Sequence, residues 1–468
     1  MTRTALVTGA TGYVGGELVP HLLRAGWRVR VLTRNSSSVD EQPWGGEVEV
    51  VEGDAARPQD IARALQGADA AWYLLHSMGE PGEDFAEQER EMATIFAAAA
   101  SEAGVSRIIY LGGLNPGGEL SPHLASRVEV GEILMASGVP TAALQAGVVI
   151  GDESASFVML RHLSERLPGA VGPSWLHNKI QPIAVDDLMH YLVAAADLPS
   201  DVNRTFDVGG EEVVSYAGMM KRYARAMGLG PRVVLIAPVT TPRLAARWIG
   251  LATPISRALA EPLIESLDHD TVVSERDLDD LVGRPPGGLT SFDDAVRSAA
   301  RGTDPWRFLR TLAGCTAAVA ACAVAGSIGT TPRSAWYSSL RKPAWQPPGA
   351  VFPIAWTTLC ALIAAGSALT LADLEESGRA DEARSFRRAL GINLVLNATW
   401  SWIFFRFHKL PAATVTAAAL AASSGDLARR AGKLGPEKRL MFLPYAAWTT
   451  FATALTAAVT RLNRPRVD

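Results

Sequence analysis

Residues 4–18 read TALVTGATGYVGGEL, a short apolar strand that runs into glycines at positions 9, 12 and 15. The helical pattern GGELVPHLLRAG and a second strand, RVRVLTR, follow directly. This order of strand, glycine turn, helix and strand is the context that makes a glycine motif specific. Glycines let the backbone approach a pyrophosphate, and the helix N-terminus offers free N–H groups to it. We therefore predict a dinucleotide site that contains the following residues: Gly9, Thr11, Gly12, Tyr13, Val14 and Gly15.

The end of the second strand bears on which dinucleotide binds. A site for NAD usually places a carboxylate there to hold the ribose 2′-hydroxyl. This chain has Thr33 and Arg34 at that point, and no acid before Asp40. The planar guanidinium of an arginine is suited to pair with a 2′-phosphate. We therefore expect NADP(H) to be favoured over NAD(H) through Arg34; the alternative is an arginine that only faces solvent at a strand end.

The rest of the first 300 residues alternates between strand and helix patterns. Apolar strands such as VEVVEGD, SRIIYLGGL and PTAALQAGVVIG alternate with helical stretches such as FAEQEREMATIFAAAASEAG. This alternation predicts an α/β Rossmann-type fold with a doubly wound parallel sheet. We expect residues 1–300 to form this domain, with 151–300 as its smaller part on the substrate side. Asp54, just past a strand, is placed either to accept from an adenine amino group or to cap a helix.

Several segments of this region resemble the atypical short-chain dehydrogenase/reductase superfamily: TGATGYVG, EGD, RIIYLGGL, SPHLASRVEVGEIL, ALQAGVVIG and QPIAVDDL. The resemblance covers residues 3–300 and points to the NmrA-like and complex-I-subunit-like branch. It implies a Rossmann fold that binds NADP(H) or NAD. It also implies that Gly9, Gly12, Gly15 and Arg34 contact the cofactor.

The catalytic residues of that superfamily are not matched. The resemblance implies a Ser and a Tyr-x-x-x-Lys pair, but this chain has His123 and Arg127 in the pair, and the strand expected to supply the Ser ends in two glycines. An arginine is a poor proton relay because its pKa lies above about 12, although Arg127 can still hold a ribose hydroxyl. His123, with an unperturbed pKa near about 6.5, is a candidate acid near neutrality. His76, after the fourth strand, is expected to face the nicotinamide. For both histidines the alternative is a loop residue bonded to backbone.

The last third of the chain has a different composition. Five uncharged runs follow one another, at 311–329, 351–372, 389–405, 410–425 and 440–460. A helix needs roughly 20 apolar residues to cross a bilayer, and several tryptophans stand at the ends of these runs, as interfacial belts require. The pattern predicts five membrane spans in an all-α region; the alternative is a soluble alanine-rich bundle.

Three blocks within this region resemble the TspO/MBR (translocator protein) family: WYSSLRKPAWQPPGAVFPIAW, LNATWSWIFF and LPYAAWTTFATAL. The resemblance covers residues 306–464 and implies a five-helix membrane bundle that binds porphyrins or other hydrophobic ligands, and a homodimer. An asparagine in a span also has a structural interpretation, a hydrogen bond between helices worth on the order of 1 kcal/mol. The pocket residues that the resemblance implies are Tyr337, Trp356, Asn397, Trp400, Trp448 and Ala452.

The charge of the chain and its cysteines limit the possible partners. A net charge of −4 gives no electrostatic case for nucleic acid. The three cysteines all lie in proposed spans, which implies no disulfide framework and no metal site. A slight excess of Arg and Lys in alternate loops places the N-terminal domain in the cytoplasm, and we expect the bacterial inner membrane as the location.

These features leave three hypotheses for function. The first is a membrane-tethered NADP(H)-dependent oxidoreductase acting on a lipid, quinone or isoprenoid-type substrate. The second is a binding or sensing protein, in which a dinucleotide site is coupled to a module that binds a tetrapyrrole or lipid. The third is a transporter of porphyrin-like ligands. The absence of the Tyr-x-x-x-Lys pair favours the second, while the glycine motif is compatible with the first two.

Overall fold

The computed structural model describes residues 2–76, 85–118, 120–236 and 249–464. The chain divides into two compact units, one of residues 1–249 with 255–303 and the other of residues 250–254 with 304–468. The first unit contains the strands and is described first.

The strands of the first unit lie in one large sheet and three two-stranded pairs. They are β1 (Thr4–Thr8), β2 (Arg28–Thr33), β3 (Glu49–Glu52), β4 (Ala70–Tyr73), β5 (Arg107–Gly113), β6 (Thr141–Ala146), β7 (Val149–Ile150), β8 (Gly169–Gly172), β9 (Lys179–Ile180), β10 (Ile183–Ala184), β11 (Arg204–Val208), β12 (Val214–Ser215) and β13 (Val233–Ile236).

The helices of this unit connect the strands and cover the sheet. They are α1 (Tyr13–Arg24), α2 (Ser37–Asp40), α3 (Pro58–Leu65), α4 (Phe85–Glu102), α5 (Pro122–Met135), α6 (Ala155–Arg166), α7 (Val185–Ala194), α8 (Tyr216–Ala226), α9 (Arg257–Glu265), α10 (Asp277–Val282) and α11 (Phe292–Ala299).

The large sheet has seven parallel strands in the order β11-β6-β5-β4-β1-β2-β3. The chain therefore moves outward from β1 to β3 and then returns to place β4 on the other side of β1. This reversal is the switch point at which ligands bind in doubly wound sheets, beyond the carboxyl ends of the strands. The predicted parallel Rossmann-like sheet is confirmed.

The central strands β1, β4, β5 and β6 are buried on both faces, which explains why they read as continuous apolar runs. In β1, Ala5 and Val7 belong to one core and Leu6 to the other, because alternate side chains point to opposite faces. Trp72 of β4 lies in the first core and Tyr73 in the second. The two cores fix the register of the central strands and hence the position of the loops at their carboxyl ends.

The second unit is helical. Its helices are α12 (Arg307–Gly329), α13 (Ala335–Ser339), α14 (Val351–Glu376), α15 (Ala380–Ser401), α16 (Leu410–Ala431) and α17 (Pro436–Leu462), with a π-helical segment at Trp402–Arg406.

Three helices in the described part of the chain, α12, α14 and α17, are long and apolar enough to cross a membrane. Helix α15 begins with the charged sequence ADEARSFRR, and α16 is rich in alanine and ends in DLARRA. Both helices are long, but their polar ends and small side chains lower their hydropathy. The presence of membrane-type helices is thus confirmed, and the five-span topology stays a prediction.

Close packing holds α14 against α17. A Cβ added to Gly366 would lie 3.0 Å from the ring of Phe442, so a larger residue would require this ring to shift by a few tenths of an ångström. The carboxylate of Asp373 on α14 forms an ion pair with Lys438 on α17, and both side chains are buried. A short polar contact joins α16 to α17, between the hydroxyls of Thr414 and Thr460 at 2.9 Å.

Candidate functional site

The glycine turn between β1 and α1 lies against the end of β4. Gly9 has a φ of +72°, and a Cβ at this position would lie 2.5 Å from the carbonyl oxygen of Leu74. A Cβ on Gly15 would lie 2.3 Å from the carbonyl oxygen of Gly9. The turn is closed by the Gly12 N–H, which donates to the Gly9 carbonyl at 3.0 Å. Side chains are therefore excluded here for steric reasons, and the backbone itself forms the surface that a ligand would meet.

Helix α1 begins at Tyr13 with Gly12 as its N-cap. Glycine has no side chain to accept from the N–H groups of the first turn, which an α-helix leaves without internal partners. These N–H groups, together with the helix dipole, favour an anion at this point. The turn therefore fits the pyrophosphate of a dinucleotide.

The side chain of Tyr13 points toward the loop that follows β7. Its hydroxyl donates to Asp152 Oδ1 at 3.4 Å, and the space beside it exists because residue 151 is a glycine. Burial, followed by the charge of Asp152, raises the pKa of Tyr13. The predicted contribution of Tyr13 to a dinucleotide site is thus through its backbone N–H.

The end of β2 carries the residue expected to select the dinucleotide. Arg34 is exposed and makes no hydrogen bond or ion pair with any residue that the structure describes. Thr33 beside it is buried, and its hydroxyl donates to the carbonyl of Asn35 at 3.1 Å. Three serines follow at 36–38, so a guanidinium and several hydroxyls share one edge of the sheet next to the glycine turn.

Asp54 follows β3 at the same edge. Its Oδ1 accepts from the Ala56 N–H at 3.0 Å, and its own N–H donates to Asp60 Oδ2 at 3.0 Å. Helix α3 begins later, at Pro58, with Arg57 as the N-cap. The helix-cap interpretation of Asp54 is therefore wrong, because the residue belongs to a turn that precedes the helix. The adenine contact stays a prediction.

His76 stands just after β4, two residues beyond the Leu74 carbonyl that faces Gly9. Its Nδ1 lies 2.9 Å from Oε1 of Glu89 on α4, and the other carboxylate oxygen of Glu89 accepts from the Ser126 hydroxyl of α5 at 2.7 Å. Glu89 and Ser126 are both buried. The partner of His76 is thus a side-chain carboxylate and not the backbone, which excludes the backbone-bonded interpretation for this histidine.

Glu89 and Ser126 were not predicted from the sequence, although Glu89 leaves a signal there. It occupies the same helical stripe as Phe85, Ala93 and Phe96, and the last two are fully buried. A charged residue on an otherwise apolar stripe must find a partner, because burying an unpaired charge is costly. Glu89 finds its partners in His76, which follows β4, and in Ser126 on α5.

His123 lies in the first turn of α5, which is capped by the Ser121 hydroxyl. Its ring centroid is 4.8 Å from that of His76, so the two imidazoles are in contact. Burial, then His76 and Arg127, lowers the pKa of His123 to about 4. Both effects favour the neutral imidazole, because the ring is desolvated and lies near Arg127 and a second histidine; the proposed role of His123 as an acid stays a prediction.

Arg127 lies one turn further along α5. Its guanidinium donates to the carbonyl of Leu111 in β5, and its Cζ is 5.9 Å from the centre of the Tyr110 ring. The side chain therefore lies along the end of β5, where the superfamily would place its serine. The structure brings the three predicted catalytic residues, His76, His123 and Arg127, to adjacent positions at the carboxyl ends of β4 and β5.

A cleft of ≈ 580 Å³ opens beside this group, between α5 and the ends of β5, β6 and β11. Arg127 lines it together with Gly112 and Gly113, so the cleft reaches the strand end expected to bear the catalytic serine. Its other walls contain both apolar and polar side chains, among them Met135, Gln145 and Asp207. Of the three candidate catalytic residues, Arg127 is the one that lines this cleft.

In the helical unit, the predicted pocket residues fall into separate groups. Asn397 Nδ2 on α15 donates to the Tyr445 hydroxyl on α17 at 3.0 Å, and this hydroxyl donates to Asn393 Oδ1 at 2.8 Å. The Trp356 ring of α14 lies edge-on to Tyr445 with centroids 6.4 Å apart. The amide of Asn397 thus forms a hydrogen bond between two helices, as the structural interpretation of this residue predicts.

The remaining pocket residues contact other aromatic rings. Trp400 stacks on Phe404 with centroids 5.4 Å apart, and Tyr337 lies 5.3 Å from Phe405. Trp448 contacts Phe352 and Phe451, at 5.9 Å and 5.6 Å. Ala452 lies on α17 one turn after Trp448, and its carbonyl accepts from the Thr456 hydroxyl. Asn393, Tyr445 and the Asp373–Lys438 pair were not predicted.

Comparison with known proteins agrees with this division of the chain. Residues 315–462 match the model of the TspO/MBR family, and residues 9–161 match a family described as NAD(P)H-binding. The predicted fusion of an NAD(P)H-binding domain with a TspO/MBR domain is therefore confirmed.

Individual relatives match one part or the other. Protein CrtK of Rhodobacter capsulatus is 35% identical over 144 residues, which are 31% of this chain and 88% of CrtK. The ceramide reductase of Caulobacter vibrioides is 29% identical over 240 residues, 49% of this chain and 72% of that protein. A solved nucleoside-diphosphate-sugar epimerase of Staphylococcus aureus superposes with a TM-score of 0.51 and 17% identity, covering 64% of this chain and 100% of the epimerase, which shows a shared fold.

Proposed function

Because the C-terminal part of this chain belongs to the TspO/MBR family, we propose that the protein is a membrane-anchored, NADPH-dependent reductase of a hydrophobic carbonyl compound. In this proposal residues 1–300 form the cytoplasmic reductase domain. Residues 306–464 form a five-span bundle in a bacterial inner membrane that anchors the domain and binds a hydrophobic ligand.

The observation that carries the proposal is the pair of His76 with the buried carboxylate of Glu89 beside the glycine turn. Burying a carboxylate and an imidazole costs several kcal/mol unless they are well paired. Perturbed titratable groups concentrated in a cleft are typical of functional sites. The pair stands at the switch point of the sheet, where a bound nicotinamide would meet a substrate.

The residues at this edge fit NADP(H), which supplies a hydride when it is bound. The N–H groups at the start of α1 would bind the pyrophosphate, and Arg34 would pair with the 2′-phosphate. Arg127 retains further N–H donors beyond the one given to Leu111, because a guanidinium has five, and these can hold a ribose hydroxyl. His76 and His123 would lie beside the reacting carbonyl.

The proposed substrate class is a lipid that carries a carbonyl group. A stretch that makes up 49% of this chain is similar to a ceramide reductase, and the chain contains helices that can cross a membrane. A substrate dissolved in the bilayer would then be presented to a domain anchored at its surface.

The test is NADPH oxidation by the detergent-solubilised full-length protein, with long-chain keto lipids as substrates. We expect turnover with NADPH, slower turnover with NADH, and loss of this preference in Arg34→Ala. Arg28→Ala, at the exposed start of the same strand, is the matched control. NADPH binding without oxidation across keto lipids and quinones would contradict the reductase.

One observation favours a second candidate, a sensor that binds NADP(H) without turnover and a tetrapyrrole in the membrane domain. His123 and Arg127 replace the Tyr-x-x-x-Lys pair, and His123 is neutral near pH 7. This candidate predicts that saturating NADPH changes the affinity for protoporphyrin IX while no NADPH is consumed. An unchanged porphyrin affinity would count against it.

A further inference from the structure

We propose that Glu89 is a positioning residue that fixes the tautomer and orientation of His76, so that Nε2 of His76 exchanges the proton of the substrate oxygen. The inference rests on the proposed reductase function and adds to it two residues, Glu89 and Ser126, and a role for each.

The geometry ties three elements of the sheet edge together. Glu89 on α4 places one carboxylate oxygen 2.9 Å from His76 Nδ1 and receives a 2.7 Å hydrogen bond from Ser126 on the other. The Glu89 side chain is 5% exposed and that of His76 is 16% exposed. The carboxylate of Glu89 is thus buried in the protein, whereas the imidazole ring of His76 is partly exposed at the surface of the site.

The chemistry of the groups determines what this arrangement does. An ionised carboxylate only accepts hydrogen bonds, so a proton must lie on Nδ1 of His76. Nε2 is then the nitrogen left for a ligand. The same division of roles, in which a carboxylate orients an imidazole whose far nitrogen reacts, is known from hydrolytic triads.

In the reduction, the carbonyl carbon gains a C–H bond from the hydride and the electron pair of its π bond moves to oxygen. That oxygen takes a proton from Nε2 of protonated His76, which gives the alcohol and leaves His76 neutral. Glu89 stabilises the imidazolium before the transfer. Solvent returns the proton to His76, directly or through the adjacent ring of His123.

The surroundings of His76 set its proton affinity. Burial lowers the pKa of His76, Glu89 opposes this effect, and Arg127 adds to it. His123 of α5 contacts the ring, and Tyr73 and Tyr110 of the neighbouring strands face the same carboxylate. Glu89 is the one acid among these groups, so removing its charge must lower the pKa of His76 further.

The experiment compares Glu89→Gln with Glu87→Gln in the full-length protein. Glu87 stands two residues earlier on α4 and is exposed, so it controls for the same chemical change without the contact. The first readout is ¹⁵N NMR of the eight histidines, with His76 assigned by its loss in His76→Asn. We expect an Nδ1-protonated His76 in the wild type and in Glu87→Gln. In Glu89→Gln, the Nδ1-protonated signal is lost.

The second readout is the pH profile of NADPH-dependent reduction. Because reduction needs protonated His76, kcat/KM falls as pH rises through the pKa of the pair. In Glu89→Gln this limb moves to lower pH, and kcat/KM at pH 7 falls on the order of 100-fold, in the range of general acid catalysis. NADPH affinity stays within twofold. Ser126→Ala, which keeps the carboxylate, produces the same changes to a smaller extent.

The two proposals fail in different ways. Absence of turnover in the wild type contradicts the reductase, while the NMR comparison still tests the link between Glu89 and His76. Turnover with an unchanged His76 signal and an unchanged pH profile in Glu89→Gln overturns the positioning role. If Glu89→Gln does not fold, an unchanged pH profile in Ser126→Ala overturns it as well.

Discussion

Lys438 on α17 pairs with Asp373 on α14, and each side chain is only 3% exposed. These are charged groups in two of the helices that are apolar enough to cross a membrane. A buried pair of this kind contributes little net stability compared with apolar residues, but a single remaining charge is costly. The pair therefore fixes the alignment of α14 against α17 more than it strengthens the unit.

Breaking this pair is predicted to be far more harmful than replacing it. Lys438→Met leaves a buried carboxylate and is expected to cost about 3–5 kcal/mol, whereas Asp373→Leu with Lys438→Met is expected to be close to neutral. Thermal unfolding of the detergent-solubilised protein measures both. A loss in the double variant as large as that in Lys438→Met would contradict the prediction. Arg384→Met, which removes one partner of an exposed ion pair, is the control.

The conformation of Gly9 gives a second prediction. Gly9→Ala must accommodate a positive φ and a Cβ 2.5 Å from the Leu74 carbonyl oxygen, so the turn shifts and NADPH affinity is expected to fall at least tenfold. Gly26→Ala is the matched control, because Gly26 has a φ of +82° with nothing within 4 Å of the added Cβ. It carries the same backbone strain, of about 1–2 kcal/mol, away from the site. NADPH titration would contradict the prediction if both variants bind alike.

Local features made much of this architecture predictable. Continuous apolar strands, a glycine turn and helical periodicity act over a few residues, so the parallel sheet and the position of Gly9, Gly12 and Gly15 followed from the sequence. The five uncharged runs likewise marked five helices of the second unit. The hydropathy of α15 and α16 was overestimated, since uncharged residues such as alanine are not strongly apolar.

Contacts between distant parts of the chain were not predictable in the same way. Ser126 meets Glu89 across 37 positions, and Asn397 meets Tyr445 across 48. Such pairs depend on which elements become neighbours, and no local period encodes that. The lowered pKa of His123 was not predictable for the same reason, because it depends on burial and on the proximity of His76.

The contact of Trp356 with Tyr445 leads to a prediction for the membrane domain. If this region binds protoporphyrin IX, Trp356→Ala is expected to weaken binding on the order of tenfold, which corresponds to about 1.4 kcal/mol, through lost stacking area. Trp306→Ala is the control, because Trp306 is 43% exposed at the start of α12. Quenching of porphyrin fluorescence gives both affinities. Equal affinities in the two variants would place the ligand elsewhere.

The last prediction concerns pH and the stability of the N-terminal unit. Folding lowers the pKa of His123 from its ordinary 6.5 to about 4, so between these values the unfolded chain binds more protons. The neutral His123 ring therefore contributes to the free energy of unfolding in full above pH 6.5. This contribution, roughly 3 kcal/mol, is lost as the pH falls toward 4. His123→Asn removes this contribution, and its unfolding free energy should change less between pH 6.5 and 4 than that of the wild type. His269→Asn, at an exposed histidine, should keep the wild-type slope. Parallel slopes in all three proteins, measured by urea unfolding, would mean that His123 is not buried in its neutral form. The loss of stability at low pH would then have to come from the carboxylates near this edge of the sheet.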